Sequence, residues 1–165
     1  MENINSFSTY EEALALFQTV DGVGQQNCIF VSLRDVSISP AMVAGGAAGA
    51  FLAGVISGIE NKSDGFLVNQ TEKGIGLIPL FMGKGKMSRR SDKLQADLNN
   101  YIFIDQSEIV KVKIKNYAFI NTKVKKVLIK TTSGKNFNWI VNVKDKYISY
   151  QKNDVSEFIK MYKNN

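Results

Sequence analysis

The sequence predicts an α+β fold, mainly β: a barrel or sandwich of about seven strands capped by a C-terminal helix, with an N-terminal helical segment ahead of it. Three observations carry this. From residue 64 onward, short β-forming runs alternate apolar and polar residues at the period of two that a half-buried strand requires. Turn sequences, Glu72-Lys73-Gly74 and Ser133-Gly134-Lys135, separate these runs. Beyond the last strand, Val155, Phe158, Ile159 and Tyr162 recur at the i, i+3, i+4, i+7 spacing that lays one apolar stripe on a helix.

Residues 1–61 read as an N-terminal segment and 62–165 as the β-rich domain. The first element is a helix over 8–19. Ser8 and Glu11 have capping-box spacing, the acids Glu11 and Glu12 fall in the first turn where the helix dipole favours them, and Phe7, Tyr10, Leu14 and Phe17 form an apolar face. The loop sequence Asp21-Gly22-Val23-Gly24 ends it. A strand follows over 27–36, where β-formers surround Cys28 and Phe30.

Residues 40–59 predict a Gly/Ala-rich helix. Ser39 can cap it, Pro40 suits the first helical position, and 41–59 hold five glycines and no charge. Gly46, Ala50 and Gly54 lie on a smooth face, and Leu52, Val55, Ile56 and Ile59 on a bulky one; Gly45/Gly49 and Gly54/Gly58 have the GxxxG spacing of close-packed helices. A helix buried on both faces is favoured over a membrane span, because Gly and Ala insert weakly and flanking aromatic and basic anchors are missing. Pairing with a second copy, or docking on a membrane, is the alternative, with Gly46, Ala50 and Gly54 as the interaction face.

In the β-rich part, 66–69 and 75–80 pair as a hairpin, with Pro79 placed at a strand end. Residues 82–100 form a polar connector, weakly helical over 93–98. A strand at 101–104 opens the second half of the sheet. Over 108–115, Val110, Val112 and Ile114 point one way and Lys111, Lys113 and Lys115 the other. The strand at 123–131 then turns into one whose Phe137, Trp139, Val141 and Val143 face the core. The closing helix spans about 153–163, capped by Asn153 or Asp154.

This order of elements resembles the pleckstrin-homology-like (PH-like) and GRAM-like domains of bacteria. The run Thr71-Glu72-Lys73-Gly74-Ile75-Gly76-Leu77-Ile78-Pro79 is similar to their "T-x-K-G-(x)-hydrophobic-P" hairpin, Ser107-Glu108-Ile109 with Val112 to their "S-E-I-x-x-V" segment, and 127–143 around Ser133-Gly134-Lys135 to their "G-K" hairpin ahead of the closing helix. The resemblance covers roughly 64–163. It implies a PH-like architecture and a non-enzymatic binding or scaffolding unit, without supplying a ligand.

Composition narrows the chemistry. The chain has no histidine and one cysteine, Cys28, so His-dependent triads, His-based metal sites and an intramolecular disulfide are excluded. No catalytic residue, metal site or cofactor is expected. The lone thiol, and an N-terminus acidic before any apolar run, predict a cytoplasmic location, possible peripheral membrane contact included. Charge is split unevenly: residues 1–61 carry Arg34 against six acids, and residues 62–165 carry 20 basic residues against nine acids.

The candidate anionic-surface site is the basic connector 84–93, with Lys84, Lys86, Arg89, Arg90 and Lys93, although a solvated loop is the favoured reading of such a segment. Lys111, Lys113 and Lys115 read as edge-strand lysines that discourage sheet-to-sheet association, rather than a nucleic-acid stripe, since interleaved aromatics are missing. The expected function is a binding or scaffolding module for a protein partner or for self-association, with anionic lipid through the connector as the alternative and nucleic acid disfavoured.

Overall fold

The computed structural model describes residues 6–20, 27–33, 63–82 and 90–163. Two helices, α1 (Tyr10–Val20) and α2 (Gln151–Lys163), accompany eight strands: β1 (Cys28–Ser32), β2 (Gly65–Thr71), β3 (Gly74–Met82), β4 (Leu94–Ala96), β5 (Ile102–Asp105), β6 (Ile109–Asn116), β7 (Val124–Thr131) and β8 (Asn136–Asn142). The strands form one sheet of antiparallel pairs in the order β4-β3-β2-β1-β8-β7-β6, with β5 beside β4 along the same edge of β3. The sheet does not close into a barrel: among the described residues, β6 pairs only with β7. The expected helix at 40–59 lies outside the described residues.

The β2–β3 hairpin turns where the sequence places it. Gly74 takes φ 152°, and a side chain there would collide with the Ile104 carbonyl of β5. Pro79 is not at a strand end. It sits inside β3 opposite Phe66, and its carbonyl accepts from Asp97 N–H at 2.9 Å. Part of the stretch expected to be weakly helical is a strand instead. Residues 94–96 form β4, paired with β3 through Leu80↔Ala96 and Met82↔Leu94, and Leu94 and Ala96 are buried.

Two apolar layers follow from the strand alternation. On one face of β1–β3, Ile29, Val31, Phe66, Val68, Ile75 and Leu77 meet Val127, Ile129, Phe137, Trp139 and Val141 of β7 and β8, and Val155 and Phe158 of α2 fill the same core. On the other face, Cys28, Leu67, Ile78 and Leu80 pack beneath α1 through Ala13, Leu16 and Phe17. With both faces covered, β2 and β3 are buried almost throughout. The cap of α1 lies one residue beyond the expected pair. Thr9 Oγ1 accepts from Glu12 N–H, and the Glu12 carboxylate accepts in return from the N–H groups of Thr9 (3.1 Å) and Ser8 (2.8 Å).

Between β1 and β8 the sheet splits. Only Ser32↔Ile140 is in register there. Further along the same edge of β1, side chains of α2 take the place of a strand. Gln151 accepts from Phe30 N–H (2.8 Å) and donates to the carbonyls of Phe30 (2.8 Å) and Asn142 (2.9 Å), while Asp154 accepts from Cys28 N–H (2.8 Å). Helix α2 therefore starts at Gln151, and Asp154 serves β1 rather than capping its own helix. Tyr150 adds an anchor by donating its hydroxyl to the Phe7 carbonyl at 2.7 Å.

Cys28 reports on this packing. Burial pushes its thiol from the ordinary 9.0 up to about 12; the Asn69 amide, 3.2 Å away, opposes the rise and Asp154 adds to it. A raised acid keeps its proton in the folded chain after the unfolded chain has lost it. Stability is thus full below about pH 9 and falls between pH 9 and 12, by about 1.4 kcal/mol per pH unit from this group. The expected result is a urea midpoint that drops steeply with pH in that window, a shallower drop for Cys28→Ala, and a native thiol inert to thiol reagents. An equal slope in wild type and variant would contradict the assignment to Cys28.

Candidate functional site

Residues 109–144 contain nine lysines and no aspartate or glutamate. Strand register decides which of these meet. In the β6–β7 pair, Lys111 lies opposite Lys130, Lys113 opposite Leu128, and Lys115 opposite Lys126. Opposed residues share a face, so these five lysines project from the side of the sheet away from the core, where Val112, Ile114, Val127 and Ile129 point. Leu128, Asn136, Asn138 and Ile140 complete the outer face toward β8 and are half-buried.

The array opposes itself electrostatically. The Lys115 ammonium, with Lys111 and Lys130 adding, pushes Lys113 below the usual lysine range. Lys126 is lowered as well, by burial first and then by Lys115. Like charges placed directly across a strand pair are destabilising. Among the described residues, the ion pairs are Arg90–Asp92, Lys93–Asp92 and Lys160–Glu157, and none reaches Lys111, Lys113, Lys115 or Lys130. A charged surface of this kind can bind anions by Coulomb attraction and counterion release, without a pocket.

One expectation about β6 is corrected. The strand is bulged between Ile109 and Lys111, so Val110 leaves the core alternation and is 62% exposed. Its lysines do lie on a terminal strand of the sheet.

The basic connector is only partly described. Lys84, Lys86 and Arg89 lie outside the described residues, as do Gly46, Ala50 and Gly54. Arg90 precedes a 3-10 turn at Ser91–Lys93, and Lys93 is its last residue. The Arg90 guanidinium forms a bidentate pair with Asp92 (2.8 and 3.0 Å) and stacks over Tyr147 at 4.1 Å, and Lys93 lies 3.9 Å from the same carboxylate. Both cations thus share one acid, which lowers the attraction they offer to an outside anion.

Lys126 and Lys130 were missed in the sequence because their strand shows no clean alternation at Val124-Lys125-Lys126-Val127. The acid-free stretch from 109 to 144 was the readable signal. Among the described residues, no helix is long and apolar enough to cross a membrane, and no cluster of three His, Cys, Asp or Glu side chains could hold a metal ion. No family model, curated protein or solved structure matches the chain.

Proposed function

We propose that this chain is a non-enzymatic binding module of PH-like type that docks on an anionic partner through the lysine face of β6 and β7. One observation carries the reading: five lysines from two paired strands share one surface, within a stretch of 36 residues that has no acid. Self-repulsion makes that surface costly alone and favourable against negative charge. The PH-like assignment is supported by the order of hairpins and by α2 packed over the core between the two sheet halves. The surface favoured here differs from the connector 84–93, whose Arg90 and Lys93 are engaged by Asp92.

Single-stranded nucleic acid is a poorer fit. Its binding sheets interleave aromatic rings with the basic residues, whereas the positions across from and beside these lysines in β7 and β8 hold Leu128, Asn136, Asn138 and Ile140.

Immobilised heparin, a generic polyanion, tests the reading. Lys111→Gln/Lys113→Gln/Lys115→Gln removes charge from the face, and Lys73→Gln/Lys152→Gln/Lys163→Gln removes the same charge from exposed sites elsewhere. The face variant is expected to bind at least about tenfold more weakly near physiological salt, with the control close to wild type. Equal weakening in both would show that only net charge matters and would refute a dedicated face.

A further inference from the structure

The loop joining β6 and β7 carries the two most exposed large apolar side chains among the described residues. Phe119 is 102% exposed and Ile120 92%, whereas the next, Val110, is 62%. The loop is tied rather than open-ended. Tyr117 N–H donates to the Val124 carbonyl (2.9 Å), Asn121 N–H to the Ala118 carbonyl (3.1 Å), and Lys123 N–H to Asn121 Oδ1 (3.0 Å). The two side chains are therefore held out in water at the end of a hairpin whose stem is cationic.

Resting on the lysine-face reading above, we propose that the anionic partner is a phospholipid bilayer. The hairpin enters it tip first, with Phe119 and Ile120 in the acyl boundary and the lysines among the headgroups. Charge and position both select this occupant. Lys115 and Lys126 face each other at the stem end nearest the tip, and Lys123 lies in the loop itself. Lys111 and Lys130 stand four residues further back, about 14 Å along the strands. An oblique approach with the lysine face turned down brings that row to within about a Debye length of the surface. Apolar insertion combined with electrostatic attraction is what gives a peripheral protein stable residence on a membrane, since a single weak anchor does not. A soluble acidic partner would engage the lysines but leaves two adjacent apolar side chains at the tip without a role.

Vesicle flotation near physiological salt tests this, with phosphatidylcholine alone or with about one third phosphatidylserine. Wild type is expected to float with the anionic vesicles and not with the neutral ones. Phe119→Ser/Ile120→Ser should lower that binding about 30-fold or more while heparin binding stays at the wild-type level. Phe119→Trp supplies an optical readout, because the native Trp139 is fully buried. The emission of the introduced indole should move to shorter wavelength on anionic vesicles and be quenched by brominated acyl chains. Equal vesicle binding by wild type and the double serine variant, with no emission shift in Phe119→Trp, would overturn insertion and leave the lysine-face reading standing. Retention on heparin without vesicle binding would likewise overturn the bilayer as partner. Loss of neither on the triple lysine substitution would overturn the underlying reading instead.

Discussion

Replacing Gln151 with alanine is expected to lower stability by about 3–5 kcal/mol, far more than a polar residue in a first helical turn ordinarily costs. Gln151 is fully buried, and its amide satisfies Phe30 N–H, the Phe30 carbonyl and the Asn142 carbonyl at once. Truncation leaves three backbone groups without partners at the split between β1 and β8. Each buried orphan costs about 1–3 kcal/mol, and a water admitted to the space recovers part of the sum. Gln151→Glu sharpens the test. Its carboxylate can still accept from Phe30 N–H but cannot donate to either carbonyl, so it should be destabilising as well, and less so at low pH. Urea denaturation of both variants provides the measurement, and a loss under about 1 kcal/mol for Gln151→Ala would show that the split is held by other contacts.

Phe158→Ala is expected to cost about 3–5 kcal/mol by the separate route of an unfilled core. Phe158 is 1% exposed, packs with Val155 against both halves of the sheet, and lies 5.1 Å from the Tyr162 ring, centroid to centroid. Removing the ring leaves a cavity that a rigid sheet on either side cannot collapse to fill. Ile159→Ala serves as a comparison, since Ile159 is only partly buried at the margin of the same core and should cost less. A melting temperature equal to wild type in Phe158→Ala would mean that α2 does not seal the core.

What the sequence made legible was what period and turn chemistry encode. The stripe Val155, Phe158, Ile159, Tyr162 located α2, because four apolar residues over two turns leave little choice of face. Gly134, at φ 82°, marked the β7–β8 turn, because few residues other than glycine accept that conformation. β4 was not legible, since Leu94-Gln95-Ala96 is too short to show a period and becomes a strand only by pairing with β3. The burial of Gln151 was equally hidden: a polar residue opening a helix reads as solvated until the unpaired edge of β1 is placed beside it.

The candidate site divides in the same way. Lys111, Lys113 and Lys115 were visible as a row in one strand, but Lys126 and Lys130 join them only through cross-strand register. Phe119 and Ile120, apolar residues between two strands, carry no mark in the sequence that separates an exposed tip from a core contribution. The bulge at Val110 shows the converse: one extra residue moves a valine out of an otherwise regular alternation.

The split beside β1 also sets a schedule. The partners of Phe30 lie 121 residues further along the chain. At a ribosomal rate of roughly 5–20 residues per second, about 6–24 s pass between synthesis of this edge and synthesis of the helix that covers it. Throughout that interval β1 offers unpaired N–H and C=O groups to any extended chain nearby, which is the circumstance in which strands of different molecules join. The β6–β7 hairpin needs no such wait, since its strands are neighbours in sequence and close within microseconds. The lysine surface thus depends on contacts close in sequence, whereas the edge of β1 depends on residues near the end of the chain.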